Sequence, residues 1–291
     1  MARTEAFSAY LFILPFLVGV TIFYIYAFCQ NILTSFTNKR SLGTAKFIGL
    51  ENYAELIADS EFYHSLFNTL IYVIICVPSV MVLSLLIALA LNEKVRGIGI
   101  YRTLIYLPVI TLPTAVGLVW KWMFNNQFGL INALLSKIGI QGPAWLSDPK
   151  VSIFAVCIVL IWSSLGTAVI IFLAGLQEIP VSYYEAAEID GANGWQKFAH
   201  ITFPLLSPTT FMLFVTELIG FFQVFDLIFL MISSTSSGMS GARSIVMLFY
   251  EEAFTRFDKG YSAAIANALF LIILLITVLQ MKLQKKWVFY E

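Results

Sequence analysis

Six long apolar runs separated by polar connectors set the pattern of the chain, at residues 9–31, 66–91, 103–124, 151–176, 201–232 and 261–281. A hydrocarbon core takes about twenty apolar helical residues to cross, and each run reaches that length. The expected fold is therefore an all-α membrane protein with six transmembrane helices. Between Glu5 and Lys39 the first run carries no charge; it outlasts a signal-peptide core and lacks Ala-x-Ala cleavage chemistry, so it is expected to be a retained span. Prolines 15, 78, 108, 113, 204 and 208 fall within these runs, which membrane helices tolerate where neighbours satisfy the freed carbonyls. Trp120, Lys121 and Trp122 close the third run with residues typical of a membrane interface, and Lys282, Lys285 and Lys286 close the sixth. The polar stretch after the first run holds a possible short helix at 51–57. The pattern divides the chain into residues 1–65, the first transmembrane helix and a connector; 66–284, a core of five helices; and 285–291, a tail. Six crossings put both termini on one side.

Composition agrees with that class. Of 291 residues, 59% are hydrophobic and only 12% charged, against about 25% charged in soluble domains. Net charge is zero, so nothing in the balance points to nucleic acid. Cys29, Cys76 and Cys157 lie in apolar runs with neither metal-ligand nor disulfide-framework spacing, and His64 and His200 are far apart. There is no His, Cys or carboxylate cluster of catalytic spacing and no Gly-x-x-x-x-Gly-Lys-Ser/Thr phosphate loop. Neither catalysis, cofactor nor metal is expected, and the chain cannot bind ATP through that loop.

The polar island at 177–208, QEIPVSYYEAAEIDGANGWQKFAHITFPLLSP, interrupts the pattern. Gly191 and Gly194 suit a turn between two short helices. Ile189, Ala192, Trp195, Phe198 and Ile201 recur every three residues, which predicts a buried apolar stripe with the charges left in water. Just beyond it, Glu217 is the clearest ionisable residue inside a run, and such residues are functional candidates by default. It shares a helical face with Gly220 and Phe221. This mixture suits a sugar, whose hydroxyls want acceptors and whose ring face packs on an aromatic plane. A structural pairing of Glu217 with a neighbouring helix is the competing account.

Glu185-Ala186-Ala187, three residues, Gly191, nine residues, Ile201, one residue and Phe203-Pro204 resemble the EAA loop of the membrane subunits of ATP-binding-cassette importers, with Phe203 where Leu is usual. From about Asn52 to Leu283 the chain is similar to the sugar-uptake branch related to the larger maltose permease and the glycerol-phosphate permease. Gly49-Leu50-Glu51-Asn52-Tyr53, Tyr101-Arg102-Thr103-Leu104, Phe128-Gly129-Leu130-Ile131-Asn132 and Phe222-Gln223-Val224-Phe225-Asp226 carry that similarity.

The resemblance implies the permease fold of binding-protein-dependent ABC importers. Residues 177–208 become the cytoplasmic loop that couples to the ATPase, with Glu185, Ala186, Ala187, Asp190 and Gly191 in the contact, and with Glu185 facing a cation of the partner. By spacing from Pro204 and Glu185, Glu217, Gly220, Phe221, Ser164 and Thr167 resemble positions lining the family's sugar pocket. Gln223, Asp226 and Asn267 carry smaller expectations. The implied partners are a second homologous permease subunit, two ATPase subunits, an extracytoplasmic solute-binding protein, the lipid membrane and a sugar or polyol; no nucleic acid is implied. The implied location is the inner membrane of a prokaryote with both termini cytoplasmic. Lys and Arg divide evenly between the two sets of connectors, so orientation rests on the loop. An ion- or proton-coupled carrier using Glu217 is the alternative, opposed by the loop and by the absence of an evident internal repeat.

Overall fold

The computed structural model describes residues 12–40, 44–93 and 97–289. In chain order the helices are α1 (Phe12–Ser35), α2 (Glu51–Ala58), α3 (Ser60–Asn92), α4 (Ile98–Ile110), α5 (Pro113–Met123), α6 (Leu130–Lys137), α7 (Ser152–Glu178), α8 (Val181–Ile189), α9 (Gly194–Leu205), α10 (Ser207–Phe222), α11 (Asp226–Met231), α12 (Gly238–Ala242), α13 (Ile245–Tyr250) and α14 (Lys259–Leu283). No strand occurs among the described residues. Of these helices α1, α3, α7 and α14 are each long and apolar enough to cross a membrane, and the bent pairs α4–α5 and α9–α10 bring the number to six.

Those two pairs correct the expected spans. The run at 103–124 is not one straight helix: α4 and α5 meet at 98°. Thr111 and Leu112 between them are extended, with ψ of 136° and 130°. Pro113 is the physical reason, since its ring disfavours helical geometry in the preceding residue. The run at 201–232 bends by 63° between α9 and α10, beside Pro208, which lacks an N–H to donate. It then ends at Phe222 and restarts as α11. The connectors also differ. The stretch at 125–150 contains α6, and that at 233–259 folds as α12 and α13 with Ile245, Met247 and Leu248 buried.

The chain forms two compact units, one comprising residues up to Phe62 with Leu248–Ile272, the other Tyr63–Met247 with the residues from Ile273 on. In the first unit, a polar chain ties α1 to its neighbours. Asn31 Nδ2 donates to Asn267 Oδ1 at 2.8 Å, Asn267 Nδ2 donates to Tyr53 OH at 3.2 Å, and Tyr53 OH shares a hydrogen bond with Ser35 Oγ at 2.8 Å. Buried Asn52 donates to the carbonyls of Ser35 and Thr37. Asn267 is therefore accounted for as a link between helices.

In the second unit, α3 and α7 hold the segment around α12. Asn68 donates to the carbonyls of Ser240 and Arg243, Tyr72 OH to that of Ala242, and Ser152 Oγ to that of Gly238. Gly166 of α7 lets α4 approach closely. A Cβ there would stand 2.5 Å from Val109 Cγ2 and 2.7 Å from the Ile105 carbonyl oxygen.

Replacing Asn267 by Ala leaves Asn31 and Tyr53 without their shared partner. The expected loss is about 1 kcal/mol per interhelical bond, seen as a thermal midpoint lowered by a few degrees in detergent with subunit assembly intact. An unchanged midpoint would contradict the linking role.

Candidate functional site

Two places in the second unit carry chemistry. The first is the polar island. α8 stops at Gly191 in a Schellman arrangement: Gly191 has φ of +77°, its N–H donates to the Glu188 carbonyl at 3.0 Å, and the Ala192 N–H donates to the Ala187 carbonyl at 2.9 Å. A left-handed residue is required at that position, and glycine takes it without steric cost. α9 starts in a capping box. Asn193 Oδ1 accepts from the Gln196 N–H at 2.9 Å while Gln196 Oε1 accepts from the Asn193 N–H at 2.8 Å. The two short helices and the glycine turn are as the residues predicted.

Two side-chain pairs fix α8 against α9. Tyr184 OH and Thr202 Oγ1 share a hydrogen bond at 2.9 Å, with Thr202 buried. Lys197 Nζ lies 2.6 Å from Glu188 Oε1. The hydrogen bond and charge of Lys197 hold the Glu188 carboxyl below its ordinary value. Glu188 is fully solvated, so this pair adds orientation more than stability.

The expected apolar stripe is covered only in part by this chain: Ala192, Phe198 and Ile201 are half-buried, and Ile189 and Trp195 are not. Ile189 is 88% exposed and Trp195 73% exposed, with Val181, Tyr183 and Phe203 exposed beside them. Trp195 packs at a tilt against Phe198, centroids 5.6 Å apart. The reason is geometric: the Gly191 turn folds α9 back so that Tyr184 and Thr202 meet, leaving Ile189 and Trp195 on the outside. Glu185, Ala186 and Asp190 are exposed, Ala187 half-buried, and Gly191 exposed at the turn. Glu185 lies mid-helix in α8 rather than at its front. At the base of α10, Trp287 packs edge-on against Phe211 and the Phe289 N–H donates to Ser207 Oγ at 2.9 Å, so the last described residues lean on this region.

The second place is a cavity of about 430 Å³. Its walls come from α4 and α5 at their bend, from α7, from α10, and from the break before α11. Glu217, Gly220, Phe221, Ser164 and Gln223 all line it. Thr167 does not; it sits one turn along α7 with its side exposed elsewhere. Gln223, expected only to adjoin this face, is part of the wall because α10 ends at Phe222 and Gln223 leaves helical geometry.

Residue reasoning missed Ser163, Thr111 and Phe225, and gave Asp226 too little weight. For Thr111 the signal was Pro113, which marks the bend that brings the residue inward. For Ser163 no sequence signal distinguished it from Ser164. The Ser163 hydroxyl is buried and has no hydrogen-bond partner among the described residues. Glu217 is half-buried and no side-chain partner for its carboxylate occurs among the described residues. Among the described residues no group of three His, Cys, Asp or Glu could hold a metal ion.

Residues 56–288 match the protein family described as "Binding-protein-dependent transport system inner membrane component". The chain is 36% identical over 292 residues to the probable ABC transporter permease protein YesP of Bacillus subtilis (strain 168), covering 99% of this chain and 94% of that protein. It is 32% identical over 279 residues to the arabinooligosaccharides transport system permease protein AraP of the same organism, covering 95% of this chain and 88% of that protein. In fold it is similar to a chain in the crystal structure of a bacterial alginate ABC transporter in complex with alginate pentasaccharide-bound periplasmic protein. The TM-score is 0.88 at 22% identity, over 97% of this chain and 96% of that one.

Glu188→Gln removes the ion pair to Lys197. Because the Glu188 carboxyl titrates below its usual value of about 4.3, the pair is in place at neutral pH and is lost as pH falls through that lowered value. The variant at pH 7 should therefore show faster amide exchange in 194–202, with little change in melting. Unchanged exchange would mean that Tyr184 and Thr202 alone fix the turn.

Proposed function

The chain belongs to the family of inner membrane components of binding-protein-dependent transport systems, and on that premise we infer that it forms half of the translocation pathway for a sugar or oligosaccharide in an ATP-driven importer. As a permease subunit it is not the catalytic part; hydrolysis belongs to a separate ATPase. A solute-binding protein delivers the substrate on the other side. In this reading the assembly holds a second, homologous permease subunit and two ATPase subunits, both termini are cytoplasmic, and residues 177–208 are the EAA loop that docks on the ATPase.

The observation that carries the coupling role is the outward-facing apolar surface of α8 and α9, with Ile189 and Trp195 uncovered beside the free carboxylates of Glu185 and Asp190. An apolar patch rimmed by charge is what a protein partner covers. Glu185 pairs there with a cation of the partner, while Ala186 and Ala187 permit close approach.

Mechanically, the loop is joined to both walls of the cavity. It continues α7, which carries Ser163 and Ser164, and it runs through the 63° bend into α10, which carries Glu217, Gly220 and Phe221. Because Tyr184–Thr202 and Glu188–Lys197 fasten α8 to α9, a push from the closing ATPase moves the pair as one body and rotates α7 and α10 relative to α4 and α5. The cavity then opens to one side and closes to the other. The substrate reading is supported by the AraP relative and by the cavity's acceptors beside Phe221. A secondary carrier would not use the uncovered loop, and is not retained.

Changing Gly191 to Val forces a β-branched residue into a left-handed conformation. In the complete transporter this variant and Glu185→Lys should lower uptake at least about tenfold, while the membrane subunits still co-purify and ATPase binding weakens. Full uptake by both variants would overturn the coupling role.

A further inference from the structure

The charge of the cavity goes one step beyond its being a sugar pathway, although the step rests on that reading. Two carboxylates line it, Glu217 from the middle of α10 and Asp226 from the start of α11, and no Lys, Arg or His is among the described residues of its wall. Among the described residues neither carboxylate is in a hydrogen bond or ion pair. The remaining polar groups are neutral. Ser164 offers a hydroxyl and Gln223 an amide, whereas the Thr111 hydroxyl is already given to the Leu107 carbonyl.

We propose that this cavity selects oligosaccharides without anionic groups, so that neutral sugars pass and uronates and sugar phosphates are rejected by Glu217 and Asp226. Sugar hydroxyls donate to carboxylates in charge-assisted bonds, which are roughly twice as strong as neutral ones. Glu217 and Asp226 accept from such hydroxyls, the Ser164 hydroxyl donates to a sugar oxygen, and the face of Phe221 takes the apolar side of a ring. The volume of about 430 Å³ lies within the range of about 300–1,000 Å³ usual for ligand pockets. An anionic sugar finds none of the cations that bind carboxylate or phosphate, and brings its charge beside two acidic side chains. The specificity thus comes from a repulsive element built into the wall as well as from an attractive one.

The test is saturation-transfer NMR on the complete membrane assembly in nanodiscs, with arabinotriose as neutral probe and trigalacturonate as anionic probe at equal concentration. Arabinotriose should receive saturation and trigalacturonate at least about tenfold less. In the double variant Glu217→Gln, Asp226→Asn the anionic probe should gain signal until the two differ by less than about threefold. Glu217→Asp, which keeps the charge, should keep the rejection, and equal ATPase co-purification of every variant establishes that each is folded. Equal saturation by both probes in the unaltered assembly, or continued rejection in the double variant, would overturn the charge selection while leaving the sugar pathway standing. Saturation of neither probe would overturn the sugar pathway itself.

Discussion

The left-handed turn at Gly191 is the constraint on which the functional arrangement depends. It lets α8 end with its last carbonyls satisfied and lets α9 return alongside, so that Tyr184 reaches Thr202 and Lys197 reaches Glu188. A looser connector would let Ile189 and Trp195 collapse onto the chain's own helices. Held as it is, the turn keeps them outward, and the energy lost by leaving them in water is recovered only when another surface covers them. The loop is therefore stiff and unsatisfied at once, which is what a transmitting contact needs.

Prolines shape the helices around the cavity. Pro113 breaks what would have been a continuous crossing into α4 and α5 at 98°, and the bend near Pro208 offsets α9 from α10 by 63°. Straight helices here would pack against α7 throughout and leave little room. Bent, they leave a cavity bounded by Thr111, Pro113, Ser163, Ser164 and Glu217. The close contact of α7 with α4 at Gly166 lies next to that cavity in sequence, so one wall is fixed while α10 is joined to the loop.

Much of this was legible from residues alone, because a membrane imposes strong patterns. Helix number followed from runs of apolar length, the turn followed from Gly191 in a polar island, and the carboxylate of Glu217 stood out in its apolar surroundings. The misses have physical causes. Apolar runs do not encode bends, so the size of those in 103–124 and 201–232 was not legible although their prolines were visible. The three-residue spacing of Ile189 to Ile201 signals an apolar face but not whether the same chain covers it. Thr167 was assigned to the cavity from spacing, yet one helical turn beyond Ser163 and Ser164 it leaves the lining. Nothing in the apolar pattern marked 233–244 as structured, whereas Asn68, Tyr72 and Ser152 donate to its carbonyls and hold it.

The most direct measurement concerns what covers the loop. Cysteines placed at Ile189 and Trp195 in a Cys29→Ser background can be labelled with a membrane-impermeant maleimide in vesicles of either orientation, with and without the ATPase subunits. The account predicts labelling only from the cytoplasmic face, and protection of both positions when the ATPase is present. Labelling from the outer face, or equal labelling whether or not the ATPase is bound, would contradict it.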